Sequence, residues 1–186
     1  LLAPEKQAAL DEACKAVSVQ LCAGMRQIDK TIFYKTEEAI MSRKRLKIYY
    51  MSASRQDLQW RKVDPYFIQF RQGCWYLVAW CHSRQAHRTF RVDRIQKLQI
   101  TEESFTPSDS ITAEEYFSNS LGVSQGEPVK VVLRFTPERA KWLKDSSFHP
   151  SQQQKELPGG YLEVFLKVCI DWSLMRFVLG FGADVE

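Results

Sequence analysis

The spacing of hydrophobic positions along this chain changes period twice. Leu10, Ala13, Val17, Leu21, Met25 and Ile28 recur at intervals of three or four, which predicts a helix over residues 5–28 with one apolar face. Pro4 is tolerated in a first helical turn and Glu5 suits the positive end of the helix dipole. The helix starts so abruptly that something is expected upstream of Leu1. A second, short helix is expected over 36–43, with Thr36 as its cap and Glu37 and Glu38 in its first turn.

After Arg45 the pattern shortens to strands. Segments 46–51, 61–66, 75–80, 89–92 and 98–101 are rich in aliphatic and aromatic residues, with turns expected at Gln72-Gly73 and over 83–86. Five short strands joined by tight turns point to a small closed barrel, because closure removes exposed edges. Trp75 and Leu77 are read as core for such a barrel.

Residues 102–126 carry five acidic groups, no basic ones, and many Ser, Thr and Gly, which reads as a linker with one short helix near 113–117. Beyond Pro128 a strand over 130–135 leads to Thr136-Pro137-Glu138, a strong helix start. The turn Gly159-Gly160 precedes the alternating Leu162, Val164, Leu166, Val168 and Ile170; Asp171 then caps a last helix through Leu179, ended by Gly180. Strand, helix, strand, strand, helix is all but the closing strand of a split βαβ layout, and the chain ends at Glu186 where that strand would begin.

Composition matters chiefly through its distribution. A hydrophobic content of 45% and a charged content of 26% suit a folded globular chain of 186 residues, long enough for two small modules. The formal net charge of +4 hides a division: residues 41–100 hold thirteen Lys and Arg against three Asp, a net of +10, and the rest of the chain nets −6. Concentrating one sign on a small surface attracts the opposite charge, so the expected ligand is an anion. No apolar run is long enough to span a bilayer and no secretory leader opens the sequence. Five scattered cysteines without CxxC spacing suit a reducing compartment, so a cytoplasmic location is expected.

Four motifs carry a family resemblance. Trp75-Tyr76-Leu77 follows the turn at Gly73; Arg88-Thr89-Phe90-Arg91-Val92-Asp93-Arg94-Ile95 lies one hairpin further on; Tyr50-x-Ser52 and Arg61-x-Val63-Asp64-Pro65 precede both. In this order they resemble the WYL domain, named for those three residues. Val131-x-Leu133-Arg134-Phe135-x-Pro137, His149-Pro150-Ser151 and Phe177-Val178-Leu179-Gly180-x-Gly182 resemble the extension that follows such domains in many regulators, so the likeness covers about residues 36–186. It implies an α+β protein: a leading linker or dimerisation helix (1–35), a five-stranded SH3/Sm-like barrel (36–101), a linker (102–127), and a ferredoxin-like βαββα(β) domain lacking its last strand (128–186). Family members usually carry an N-terminal winged helix-turn-helix; none is visible here, so binding to a DNA operator is not attributed to the chain as it stands.

The resemblance also implies a function: sensing a nucleotide or single-stranded nucleic-acid fragment on the basic face and passing that event to a DNA-reading domain, as a homodimer and with no membrane partner. The residue chemistry permits it. Guanidinium forks match phosphate oxygens bidentately, so Arg88, Arg91 and Arg94 are candidate clamps. Tyr50 and Tyr76 offer hydroxyls and stacking faces; Ser52 and His82 offer further hydrogen bonds; Arg84 sits in a turn and fits either a binding or a solvent-facing role. On this basis replacing Arg91 by Ala is expected to weaken binding without unfolding.

Strict alternation sets Arg88 and Arg94 on one face and Arg91 on the other. A bulge or strand end near Val92-Asp93 would bring them together; the competing reading makes Arg94 a structural ion-pair partner of Asp93 or Asp64. The run Arg43, Lys44, Arg45, Lys47 reads as a solvated helix end. Cys74, Cys81, His82 and His87 match no zinc-site spacing, and no hydrolase or phosphate-loop motif occurs, so neither a metal, a cofactor nor an enzymatic role is expected. The alternative function is a stand-alone nucleic-acid-binding barrel that tunes a partner enzyme or helicase.

Overall fold

A computed structural model describes residues 28–52, 57–107 and 111–186. The helix expected over 5–28 lies almost wholly outside them. Helix α1 (Lys30–Met41) is capped by Asp29, whose carboxylate accepts the Thr31 N–H at 2.8 Å. The expected cap, Thr36, instead lies buried in mid-helix and donates its hydroxyl to the Ile32 carbonyl, so the helix begins six residues earlier than expected. Ile32, Thr36 and Ala39 form the stripe that α1 buries against the first sheet.

That sheet contains β1 (Lys44–Met51), β2 (Leu58–Arg71), β3 (Cys74–Cys81), β4 (Ala86–Arg91) and β5 (Ile95–Ser104), antiparallel in the order β4-β3-β2-β1-β5. Strand β2 is more than twice as long as the alternation of 61–66 suggests. Its register against β3 shifts between Pro65 and Phe67, so one strand pairs β1 with its first half and β3 with its second, bending between them. The turn into β3 holds Gln72 at φ 47° and Gly73 at φ 76°, the backbone of a tight hairpin. The outermost strands, β4 and β5, are joined by a single 3-10 turn over Val92–Arg94, yet no ladder pairs them among the described residues. Among the described residues the pairing is therefore an ordered five-stranded sheet, with no ladder that closes it into the barrel expected.

The inner face of this sheet is the first core: Leu46, Ile48, Val63, Leu77, Ala79, Cys81, Phe90, Val92 and Ile95 are all nearly or fully buried, with α1 laid across them. The acidic stretch folds back on the sheet through helix α2 (Ala113–Phe117), where Thr112 and Glu115 form a reciprocal capping box. Phe117 is buried, and the Arg71 guanidinium lies 4.6 Å from its ring centroid.

The second sheet comprises β6 (Val129–Phe135), β7 (Gln153–Glu156) and β8 (Leu162–Val168) in the order β6-β8-β7, all antiparallel, with helices α3 (Pro137–Leu143) and α4 (Trp172–Leu179). Asp171 caps α4 by accepting the Leu174 N–H at 2.8 Å. Thr136 precedes Pro137 as expected, but its hydroxyl turns to Asp184 and makes no cap bond. At the chain's end Val185 bridges Phe135, and Arg134 and Glu186 exchange both backbone hydrogen bonds, so the last residues extend the free edge of β6. Leu133, Phe135, Leu162, Val164, Leu166, Val168 and Leu174 fill this second core.

Candidate functional site

The basic segment does not assemble into one pocket; it separates into distinct groups around the first sheet. At the junction of β4 and β5 the 3-10 turn over Val92–Arg94 interrupts strict alternation. Tyr76 of β3 is paired with Arg91 of β4, and the positive charges of both Arg91 and Arg94 bear on the Tyr76 hydroxyl. Arg94 also acts on Tyr50, whose hydroxyl accepts the Arg91 backbone N–H at 3.2 Å and whose ring meets Phe90 edge-on at 5.1 Å. Burial is the main reason that both phenols are pushed above their ordinary pKa, so both stay protonated donors at neutral pH. The structure thus brings together Tyr50, Tyr76, Arg91 and Arg94.

Arg91, however, is already engaged. Its guanidinium makes a bidentate pair with Asp93, at 2.9 Å from Nε and 2.6 Å from the terminal nitrogen, and that hydrogen-bonded pairing raises its pKa further. The Asp93 side chain is only 6% exposed. The structural ion pair at this turn therefore belongs to Arg91, not to Arg94 as the competing reading had it. The fork that sequence reasoning assigned to an anion holds a carboxylate of the chain itself.

His82 belongs to a second group. Its Nε2 lies 2.9 Å from an Asp64 carboxylate oxygen, and Asp64 also pairs with Arg45, which in turn holds Glu103 together with Lys62. Arg45 is thus no solvated helix end: it lies in β1 and is mostly enclosed by two carboxylates. The pairings raise the Arg45 pKa and hold the Glu103 carboxyl below its usual range, with the Lys62 hydrogen bond as the leading cause. This knot uses His82 as a structural partner and separates it from Tyr50 and Tyr76.

The remaining candidates are dispersed. Arg88 is exposed on β4 and its charge reaches Tyr116, whose hydroxyl is within 3.2 Å of Thr89. Arg84 is exposed in the β3–β4 turn. Ser52 follows β1, with its backbone N–H donating to the Asp57 carbonyl. Cys74 and Cys81 stand at opposite ends of β3, eight residues long, and Cys81 is buried.

Sequence reasoning passed over one residue of consequence. Arg61, quoted only as part of a motif, is 9% exposed on β2 and shares the inner face with Val63. The register sets it opposite Ile48, one step from the pair Tyr50 and Gln59. A usable signal was present: Arg61 alternates with Val63 toward a buried face, where an arginine needs a specific partner.

Two modules, each an antiparallel sheet with helices, linked through a short capped helix, define a mixed α/β architecture with a cationic first sheet. The model of the WYL domain matches residues 31–100 and that of the WCX domain matches residues 127–186. The chain belongs to the WYL-domain family, with a WCX domain following. It is 30% identical over 148 residues to protein PafC of Mycobacterium tuberculosis, covering 80% of this chain and 46% of the relative. It is 25% identical over 167 residues to YobV of Bacillus subtilis, described as an uncharacterized HTH-type transcriptional regulator, covering 88% of this chain and 51% of that protein. The chain thus spans about half the length of these curated relatives. Among solved structures, a CRISPR Cas-related protein shares the fold with a TM-score of 0.56 at 15% identity, over 84% of this chain and 46% of the other. No helix among the described residues is long and apolar enough to cross a membrane.

Proposed function

We propose that this chain is the effector-binding region of a transcription regulator, in which the first module takes a nucleotide or short single-stranded nucleic acid and the second transmits or stabilises the response. The observation that carries the reading is the grouping of two protonated phenols, Tyr50 and Tyr76, at the β4–β5 junction within reach of the Arg94 charge, in a segment of net charge +10. Arg94 has no carboxylate partner among the described residues, so its fork is available to a phosphate. The strand order β4-β3-β2-β1-β5 supports an SH3/Sm-like reading of the first module, and the order of Val185, β6, β8 and β7 supports a ferredoxin-like reading of the second. The likeness to an HTH-type regulator supports control of a DNA-binding domain, and a homodimer would suit that role.

The test is fluorescence polarisation with short single-stranded oligonucleotides over a range of salt. Affinity should fall steeply as salt rises, because each neutralised phosphate releases counterions. Arg94→Ala should weaken binding by about tenfold, the order expected for losing one charge-assisted contact. A salt-insensitive complex, or undiminished binding by R94A, would exclude this site.

A further inference from the structure

The arginines of this protein divide by counter-charge. Arg45 is held by Asp64 and Glu103, Arg91 by Asp93, Arg134 by Glu163 and Glu186, and Arg139 by Asp184. Arg61 is 9% exposed, and no carboxylate pairs with it among the described residues. Among the described residues its partners are neutral: the Ser83 hydroxyl accepts from one terminal nitrogen at 3.0 Å, and the Gln59 side-chain carbonyl accepts from the other at 3.5 Å. A guanidinium carries five N–H donors, and an unpaired buried cation is costly to keep.

The nearby acid is held apart. Gln59 donates its amide to Asp57 Oδ2 at 2.8 Å, so a neutral side chain stands between the carboxylate and Arg61. Ser83 is exposed in the β3–β4 turn, which opens this end of the sheet to solvent. Its hydroxyl accepts from Arg61 and still has a proton to offer an incoming oxygen, the buried Cys81 thiol at 3.4 Å being a weak competitor. Opposite Gln59 in the register stands Tyr50, which links this end of the inner face to the Arg94 group.

We propose that Arg61 and Ser83 form a phosphate subsite, in which the enclosed guanidinium supplies the charge and the serine hydroxyl the second donor to one phosphoryl group. The proposal rests on the reading of this module as an anion binder and adds a second, buried anchor for the phosphate of a nucleotide or phosphodiester.

The experiment is thermal unfolding of the 186-residue chain in rising inorganic phosphate, against chloride at matched ionic strength. The wild-type Tm should rise logarithmically once phosphate exceeds its half-saturating concentration, by about 3 to 6 °C at roughly ten times that value. Arg61→Met, which replaces the fork with an apolar side chain of similar length, should abolish the phosphate-specific rise. The same rise in R61M, or none in the wild type, overturns the subsite. Ser83→Ala, an exposed substitution that leaves the core intact, should raise the half-saturating concentration about tenfold, consistent with loss of one hydrogen bond to a charged group; an unchanged value overturns it equally. Oligonucleotide polarisation on the same samples separates the two ideas: phosphate stabilisation through Arg61 without oligonucleotide binding would remove the nucleic-acid reading and leave the subsite standing.

Discussion

The two ends of the first sheet use their charged side chains in opposite ways. At one end Arg45, Lys62, Asp64, His82 and Glu103 neutralise one another. At the other, Arg94 faces Tyr50 and Tyr76 without an acid, while on the inner face Arg61, one residue from Lys62, faces the neutral Ser83 and Gln59. The difference teaches that a cationic stretch advertises charge in the sequence, while the carboxylates that reach it in space decide how much remains for a ligand. Arg91 is the instructive intermediate: it stands beside the open group and is itself closed by Asp93.

Breaking that intermediate should give the largest effect. Arg91→Ala leaves the Asp93 carboxylate, 6% exposed, without its bidentate partner. Removing one member of a buried pair commonly costs about 3 to 5 kcal/mol, and the quarter of Arg91 that remains exposed sets the expectation near the lower value, about 3 kcal/mol. Urea denaturation should show the midpoint falling with an unchanged slope. The double variant Arg91→Met with Asp93→Leu should recover most of the loss, since two matched apolar groups replace a pair. This corrects the expectation that R91A leaves folding untouched; a stable R91A would mean that the pair contributes little.

A smaller effect is expected at the neutralised end. Asp64→Asn keeps the shape and removes the charge shared by Arg45 and His82. Arg45 retains Glu103 as a partner, so the loss should be about 1 to 2 kcal/mol, below that of R91A. The same substitution removes one of the two carboxylates that neutralise Arg45. If the contrast between the ends is sound, D64N should change oligonucleotide affinity by less than about threefold while R94A changes it about tenfold. Equal effects would show that the ends act as one surface.

How far these features were legible depends on whether local chemistry decided them. Helix α4 with its Asp171 cap, helix α2, and the alternation of β8 follow from residues within a few positions, and they form where the pattern sets them. Strand β7 does not: Gln153, Gln154, Lys155 and Glu156 are all exposed, so no hydrophobic alternation marks them and only pairing with β8 makes them a strand. Thr36 misled because a Thr followed by Glu looks like a cap, whereas Asp29 took that role and Thr36 was drawn inside by packing. In the site, the interruption at Val92 was legible as a conflict between Arg88, Arg91 and Arg94. Which acid closes which arginine was not, because Asp93 lies two residues from its partner and Asp64 nineteen from Arg45, and sequence distance does not rank them.

The smallest expected effect is a pH dependence that compares the modules. His87 in the first and His149 in the second are both pushed below the ordinary imidazole pKa, chiefly by burial, with the Arg71 charge adding to His149. A histidine whose folded pKa is depressed binds its proton more readily in the unfolded chain. As pH falls below about 6.5, the unfolded state therefore gains protons first and stability declines until the folded pKa is passed. Each histidine contributes a slope no steeper than about 1.4 kcal/mol per pH unit. The Nε2 atoms of both rings are buried without a hydrogen-bond partner, so replacing either ring removes no bond at that nitrogen. His149→Gln should flatten the decline seen by tryptophan fluorescence at Trp142 and Trp172 of the second module, and His87→Gln should flatten that at Trp75 and Trp80 of the first. Stability that rises on acidification would overturn this reading, and a decline untouched by both substitutions would place the acid-sensitive groups among the carboxylates of the neutralised end instead.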